Sequence, residues 1–189
     1  MRMCAARRRS GVHSAQRAEL SSRARPLEAA LEAKTIMVRV AEPAEFDTAA
    51  DFWMSMRREL GMPDEDLSDD WKARSVAYFR ERHEADELRW FFAFDGARVV
   101  ASAAGFFLDG YPSQICTKRR IGYIAGVFVD QKYRRRGCAR AVTQAALDWL
   151  WDQGCRAVRL HAAQNARPIY VAMGFAPSNE MIITRHEHQ

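Results

Sequence analysis

The stretch from Ile121 to Gln153 limits the possible folds more than any other part of this chain. Ile121-Gly122-Tyr123-Ile124-Ala125-Gly126-Val127-Phe128-Val129 is an apolar, β-branched run, of the kind that sheets bury on both faces. It leads into Arg134-Arg135-Arg136-Gly137-Cys138-Ala139. Beyond that, Val142, Ala145, Ala146, Trp149 and Leu150 recur at helical spacing, and Gly154 stands where a helix C′ residue belongs. The order is strand, basic turn with one glycine, helix.

That order favours an anion. The first turn of a helix carries backbone N–H groups without intrahelical partners, at the positive end of the macrodipole. Gly137 brings no Cβ to the approach, Cys138 and Ala139 are small, and the three arginines add planar donors suited to phosphate. The competing interpretation of Arg134 to Arg136 is a solvated charge run.

The net charge of +5 points toward nucleic acid until it is divided along the chain. Residues 1–36 hold eight Lys/Arg and three Glu, whereas residues 37–189 hold 21 of each sign. A neutral domain lacks the broad basic face of a phosphate-backbone reader, so no nucleic-acid partner is expected. Apolar runs stay well short of the roughly 20 residues that span a bilayer, so no membrane partner is expected either. Residues 1–36, rich in Arg, Ala and Ser, read as a disordered basic extension ahead of one domain over 37–189. The extension suits either an organellar transit peptide or an upstream start with Met37 as the natural first residue; the apolar core of a secretory signal is absent.

Cys4, Cys116, Cys138 and Cys155 show no paired or metal-type spacing, and read as free thiols of a cytoplasmic protein. No metal is expected. Cys138, at a helix start beside arginines, is either an activated thiol or a small residue tolerated in the turn.

Around the central stretch, Ile36–Val40 reads as a strand. Phe46, Ala50, Trp53 and Leu60 share a helical face that Gly61 and Pro63 end. The acidic segment Asp64–Asp70 leads to a second helix carrying Trp71, Tyr78 and Phe79, with Ser68 as its N-cap. Arg89–Phe94 and Val99–Leu108 form a hairpin about Asp95-Gly96, a type I′ signal. Ala157–Ala162 is a strand parallel to the central one, Pro168 opens a short helix ending at Gly174, and Met181–Thr184 closes the sheet. Gly126, inside an apolar strand, marks a bulge able to bend it.

The hinge Arg134–Ala139 resembles the Q/R-x-x-G-x-G/A signature of the GNAT superfamily of N-acetyltransferases. Asn165-Ala166-Arg167-Pro168-Ile169-Tyr170-Val171-Ala172-Met173-Gly174-Phe175 resembles its second motif, a helix with a tyrosine four residues before Gly-Phe. The resemblance spans Met37 to about Arg185. It implies a mixed α/β fold with about four helices and a central sheet of six to seven strands, splayed open to admit acetyl-CoA as acetyl donor. It further implies that Val127, Phe128 and Val129 pair with the pantetheine arm, that the amides from Arg134 through Arg135, Arg136, Gly137, Cys138 and Ala139 to Arg140 wrap the pyrophosphate, and that Asn165 bonds the pantetheine.

The implied reaction is direct acetyl transfer to a primary amine in a ternary complex. A backbone N–H near Phe128 polarises the thioester carbonyl and Tyr170 acts as general acid. The resemblance leaves a small-molecule or peptide amine as acceptor, allows a homodimer, and makes a catalytically silent acyl-CoA sensor the alternative. Where many members carry a glutamate on the central strand, this chain has Tyr123, Ile124 and Ala125. His161, Glu180 and Asp109 are the candidate bases, and the acidic loop Asp64–Asp70 is a candidate attractor for a cationic amine.

Overall fold

The computed structural model describes residues 36–108 and 120–180. The basic extension, the 109–119 loop with Asp109, and the closing strand expected at Met181–Thr184 lie outside the described residues.

Within them, the chain forms strand β1 (Met37–Val40), helices α1 (Phe46–Glu59) and α2 (Trp71–Glu84), and strands β2 (Leu88–Asp95), β3 (Arg98–Leu108) and β4 (Arg120–Val129). Helix α3 (Cys138–Asp152), strand β5 (Cys155–Arg159) and helix α4 (Arg167–Val171) complete it. The five strands lie in sequence order. β1 to β4 pair antiparallel, and β5 adds to β4 in parallel after the α3 crossover. The mixed sheet and four α-helices match the expectation, with five strands among the described residues in place of six to seven.

Strand β2 shows why the sheet is covered on both sides. Side chains alternate across a strand, and its buried run sends Phe91 and Ala93 into one core while Trp90, Phe92 and Phe94 enter the other. The first core is closed by Val142, Ala146, Leu147 and Leu150 of α3. The second is closed by Phe46, Ala49, Ala50 of α1 and Phe79 of α2. Each such large apolar side chain contributes roughly 1.5–3 kcal/mol on burial, so both layers are held to the sheet by comparable forces.

Four local expectations shift, the first being the strand expected at Ala157–Ala162, which runs Cys155–Arg159. The hairpin loop is Gly96-Ala97, because Asp95 pairs with Arg98, and of the two only Gly96 has positive φ, which is the pattern of a II′ turn and not of I′. Helix α1 is preceded by a 3-10 turn at Pro43–Glu45 and ends before Leu60, which is exposed. Helix α2 begins at Trp71 after an N-cap Asp70 that makes no side-chain cap bond, while Ser68 offers its backbone oxygen to Trp71 N–H at 2.9 Å. Gly154 is left-handed (φ +80°) just past α3, as its position predicts.

Candidate active site

The central feature is an extra residue in β4. Ala104 pairs with Ala125 and Ser102 with Phe128, so Gly126 and Val127 together stand opposite Ala103. Gly126 takes φ +60°, a conformation that costs side-chain-bearing residues energy. Its carbonyl accepts a 2.9 Å hydrogen bond from the buried Ser102 hydroxyl. The bulge expected from Gly126 is therefore present, and it bends the strand at its middle.

On the other side of β4, pairing with β5 stops at Tyr123 opposite Arg159, while β4 runs on to Val129. β5 ends at Arg159, so from Ile124 onward β4 has one edge bonded to β3 and, among the described residues, no strand paired on the other. Asp130 N–H donates to Val100 O at 2.9 Å. Antiparallel alternation then turns the backbone groups of Phe128 toward β3 and those of its two neighbours, Val127 before it and Val129 after it, toward the unpaired edge. The amide available to a ligand is thus a neighbour of Phe128. The Phe128 side chain packs against Phe52, ring centroids 5.4 Å apart.

The hinge follows. Arg135 (φ +61°) and Gly137 (φ +82°) are both left-handed, with Gly137 as the α3 N-cap. The first helical bond runs from Ala141 N–H to Gly137 O. Among the described residues, each backbone N–H from Arg135 to Arg140 makes no hydrogen bond. Such a run of amides around left-handed residues is an anion-binding concavity at the positive end of α3. A Cβ built on Gly137 meets nothing within 4 Å, so open space lies before the helix start. Arg134 is engaged differently: its N–H reaches Gln131 O, and its guanidinium bonds Val129 O at 3.1 Å and Glu59 at 2.5 Å. It ties the hinge to α1, leaving Arg135, Arg136 and Arg140 exposed beside the concavity.

Cys138 is buried, its thiol is pushed up by burial, and Sγ lies 3.6 Å from Tyr133 O. It is a small residue in the turn and not an activated nucleophile. Asn165 is exposed in the turn before α4. Tyr170 is buried on α4 with its ring edge-on to Phe175 (6.0 Å), and burial pushes its phenol above the ordinary tyrosine range. A phenol held protonated is suited to giving a proton.

Strand β4 carries no carboxylate, but Tyr123 supplies another arrangement. Its hydroxyl is hydrogen-bonded to Nδ1 of His161, just past β5, and burial raises the Tyr123 pKa. Glu180 is instead paired with Arg159 at 3.2 Å. Of the two candidate bases among the described residues, His161 is the one hydrogen-bonded to the central strand.

Beside this pair, on the α1 and α2 side of the sheet, is a cavity of about 510 Å³. Ala125 and Gly126 form part of its wall, together with aromatic residues and Arg74. Phe106 belongs to the wall and packs on Tyr123, centroids 5.2 Å apart. None of its wall residues comes from the acidic loop, whose Asp64 pairs with Arg58 at 3.2 Å. Sequence reasoning did not find this cavity, because its wall is assembled from five elements. It also missed Tyr123 as the partner of His161. The one available signal was that Tyr123 occupies the strand position where an acid was sought.

Among the described residues no helix is long and apolar enough to cross a membrane, and no group of His, Cys, Asp and Glu is arranged to hold a metal.

Comparison with known proteins agrees with this fold. An aminoglycoside N(6')-acetyltransferase type 1 of Salmonella typhimurium is 24% identical over 143 residues, 73% of this chain and 92% of the relative. A predicted acetyltransferase with acetyl-CoA from Clostridium acetobutylicum shares the fold with a TM-score of 0.71 at 20% identity, over 82% of this chain and 100% of that one. AAC(6')-Iy in complex with the bisubstrate analogue CoA-S-monomethyl-acetylneamine does so with a TM-score of 0.61 at 20% identity, over 82% and 99%. Residues 53–175, which contain the bulged strand, the hinge and Tyr170, match the model of the Acetyltransferase (GNAT) family, and the chain belongs to that family as an N-acetyltransferase.

Proposed function

We propose that the protein transfers the acetyl group of acetyl-CoA directly to the primary amine of a small molecule, with both substrates bound together. The observation that carries this reading is that β4 runs on to Val129 past the end of its pairing with β5 at Tyr123, and is followed by a hinge whose amides from Arg135 to Arg140 are unengaged among the described residues. An extended arm fits the open strand edge, and a pyrophosphate fits the concavity, so the residues present suit coenzyme A. Acetyl-CoA would supply the activated acyl group as a thioester.

The chain's own residues account for the rest. The Val127 amide, at the bulge, polarises the thioester carbonyl, and Val129 pairs with the arm. The amides from Arg135 to Arg140 hold the pyrophosphate with the arginine side chains beside them, Arg134 fixes the hinge, and Asn165 bonds the arm from the facing side. Tyr170 gives its proton to the departing sulfur. An alkyl amine, with an ordinary pKa of about 10.4, must shed a proton to attack. The pair Tyr123–His161 removes it: the amine proton passes to the Tyr123 oxygen as the Tyr123 proton passes to His161 Nδ1. The relatives' aminoglycoside names support a small-molecule amine as acceptor.

Tyr170→Phe tests this reading. It should lower kcat by about 10²-fold, the low end of typical general-acid effects, with the KM for acetyl-CoA nearly unchanged. A wild-type rate in that variant would assign Tyr170 to packing. Absence of thiol release with any primary amine up to about pH 9, with acetyl-CoA still bound, would instead favour a silent sensor.

A further inference from the structure

The cavity beside Gly126 has a composition that selects among amines. Its wall includes Trp53, Tyr78, Phe79, Trp90 and Phe106, with Arg74 as its charged residue, and it contains no Asp or Glu among the described residues. Neighbouring cations on the same two helices are occupied: Lys72 bonds Asp51 at 2.8 Å, Arg58 pairs with Asp64, and Arg82 with Glu87. Arg74 has no hydrogen bond or ion pair from its side chain among the described residues. The aromatic faces are also partly taken. The Arg57 guanidinium lies 5.0 Å from the Trp53 ring centroid and that of Arg82 lies 5.4 Å from Tyr78.

A polyamine such as an aminoglycoside brings several positive charges, and such charges need carboxylates or uncovered aromatic faces. This wall offers a guanidinium in their place. A guanidinium is instead matched by a carboxylate, which it can bind with two parallel hydrogen bonds, and the rings are matched by an apolar body. Granting the acetyl-transfer reading above, we infer that the acceptor is a primary amine with an aromatic or bulky apolar body and a carboxylate that pairs with Arg74. The amine then lies toward Ala125 and Gly126, beside Tyr123.

Calorimetry on the full chain with coenzyme A present tests this, using L-tryptophan against tryptamine, 4-(aminomethyl)benzoate against benzylamine, and kanamycin. In at least one pair the carboxylate-bearing member should bind at least tenfold more tightly than its partner, with kanamycin no tighter than the carboxylate-free amines. Arg74→Gln should erase that preference and leave tryptamine and benzylamine unchanged. Equal binding within both pairs, a preference that survives Arg74→Gln, or kanamycin as the tightest ligand would overturn the assignment. Thiol release with the same amines separates the two readings. Carboxylate-dependent binding without release would sink acetyl transfer and leave standing only the pairing of a ligand carboxylate with Arg74, whereas release with kanamycin alone would uphold acetyl transfer and sink that pairing.

Discussion

A Cβ on Gly126 would stand 2.5 Å from Cη2 of Trp90, closer than any real side chain tolerates. The glycine is required twice, by its φ of +60° and by the indole against it. Gly126→Ala should therefore destabilise the fold by about 2–5 kcal/mol, combining a left-handed backbone cost with overpacking. Trp90→Phe in the same chain should recover part of that loss by removing the outer ring atoms. Chemical denaturation of the single and double variants checks both, and equal stability of Gly126→Ala and wild type would mean that the strand can straighten without cost.

The Tyr123–His161 bond predicts a pH signature. His161→Gln removes the final proton acceptor, so kcat/KM at pH 7 should fall by about 10²-fold. The deficit should shrink as pH rises toward the amine's own pKa of about 10.4, where unprotonated amine becomes abundant. A pH–rate profile that keeps the wild-type shape would exclude the relay. Tyr123→Phe should give the same profile as His161→Gln, since the two act in series.

At the hinge, Gly137→Ala places a methyl on a residue with φ +82° although nothing lies within 4 Å of it. The cost falls on backbone geometry and on the amides that the proposal aims at a pyrophosphate. The KM for acetyl-CoA should rise about tenfold or more, with a smaller effect on the acceptor KM. Initial-rate measurements varying each substrate separate the two.

A stability prediction rests on Glu45, whose carboxylate takes hydrogen bonds of 2.7 and 2.8 Å from Arg39 on β1 and a further one from Glu42 N–H. The Arg39 bond, ahead of the Glu42 amide, holds its pKa below the ordinary 4.5. A depressed folded pKa means the contribution is present above pH 4.5 and is lost as pH falls through the lower folded value. Glu45→Gln should lower Tm at pH 7, and the gap to wild type should close as pH drops below 4.5. A pH-independent gap would point to packing alone.

Much of this was readable from residues whose constraints are local. Gly126 in an apolar strand announced its bulge, Gly154 its helix end, and the hinge its run of amides, because each depends on a few neighbouring φ angles. What escaped depends on contacts between distant segments. His161 meets Tyr123 across the β4–β5 pairing, and no spacing rule joins them. The cavity draws on α1, α2 and β2 to β4, so its aromatics read in sequence as ordinary core. Asp64 drew notice for its charge, yet its partner Arg58 is six residues away on the preceding helix and satisfies it locally. Arg134 reads in sequence as interchangeable with Arg135 and Arg136, yet its guanidinium bonds Glu59 and the Val129 carbonyl.

The extra residue in β4 also resets which layer each side chain joins. Before it, Tyr123 turns with Phe106 toward the cavity side; after it, Phe128 meets Phe52 on that same side while Val127 and Val129 join the opposite core. Odd positions thus exchange roles with even ones halfway along one strand. The bulge works as a phase shifter: straightening the strand with every residue kept would send two valines into the cavity layer and a phenylalanine into the packing of α3, whereas deleting the one extra residue would restore an unbroken ladder with each of these side chains where it is now.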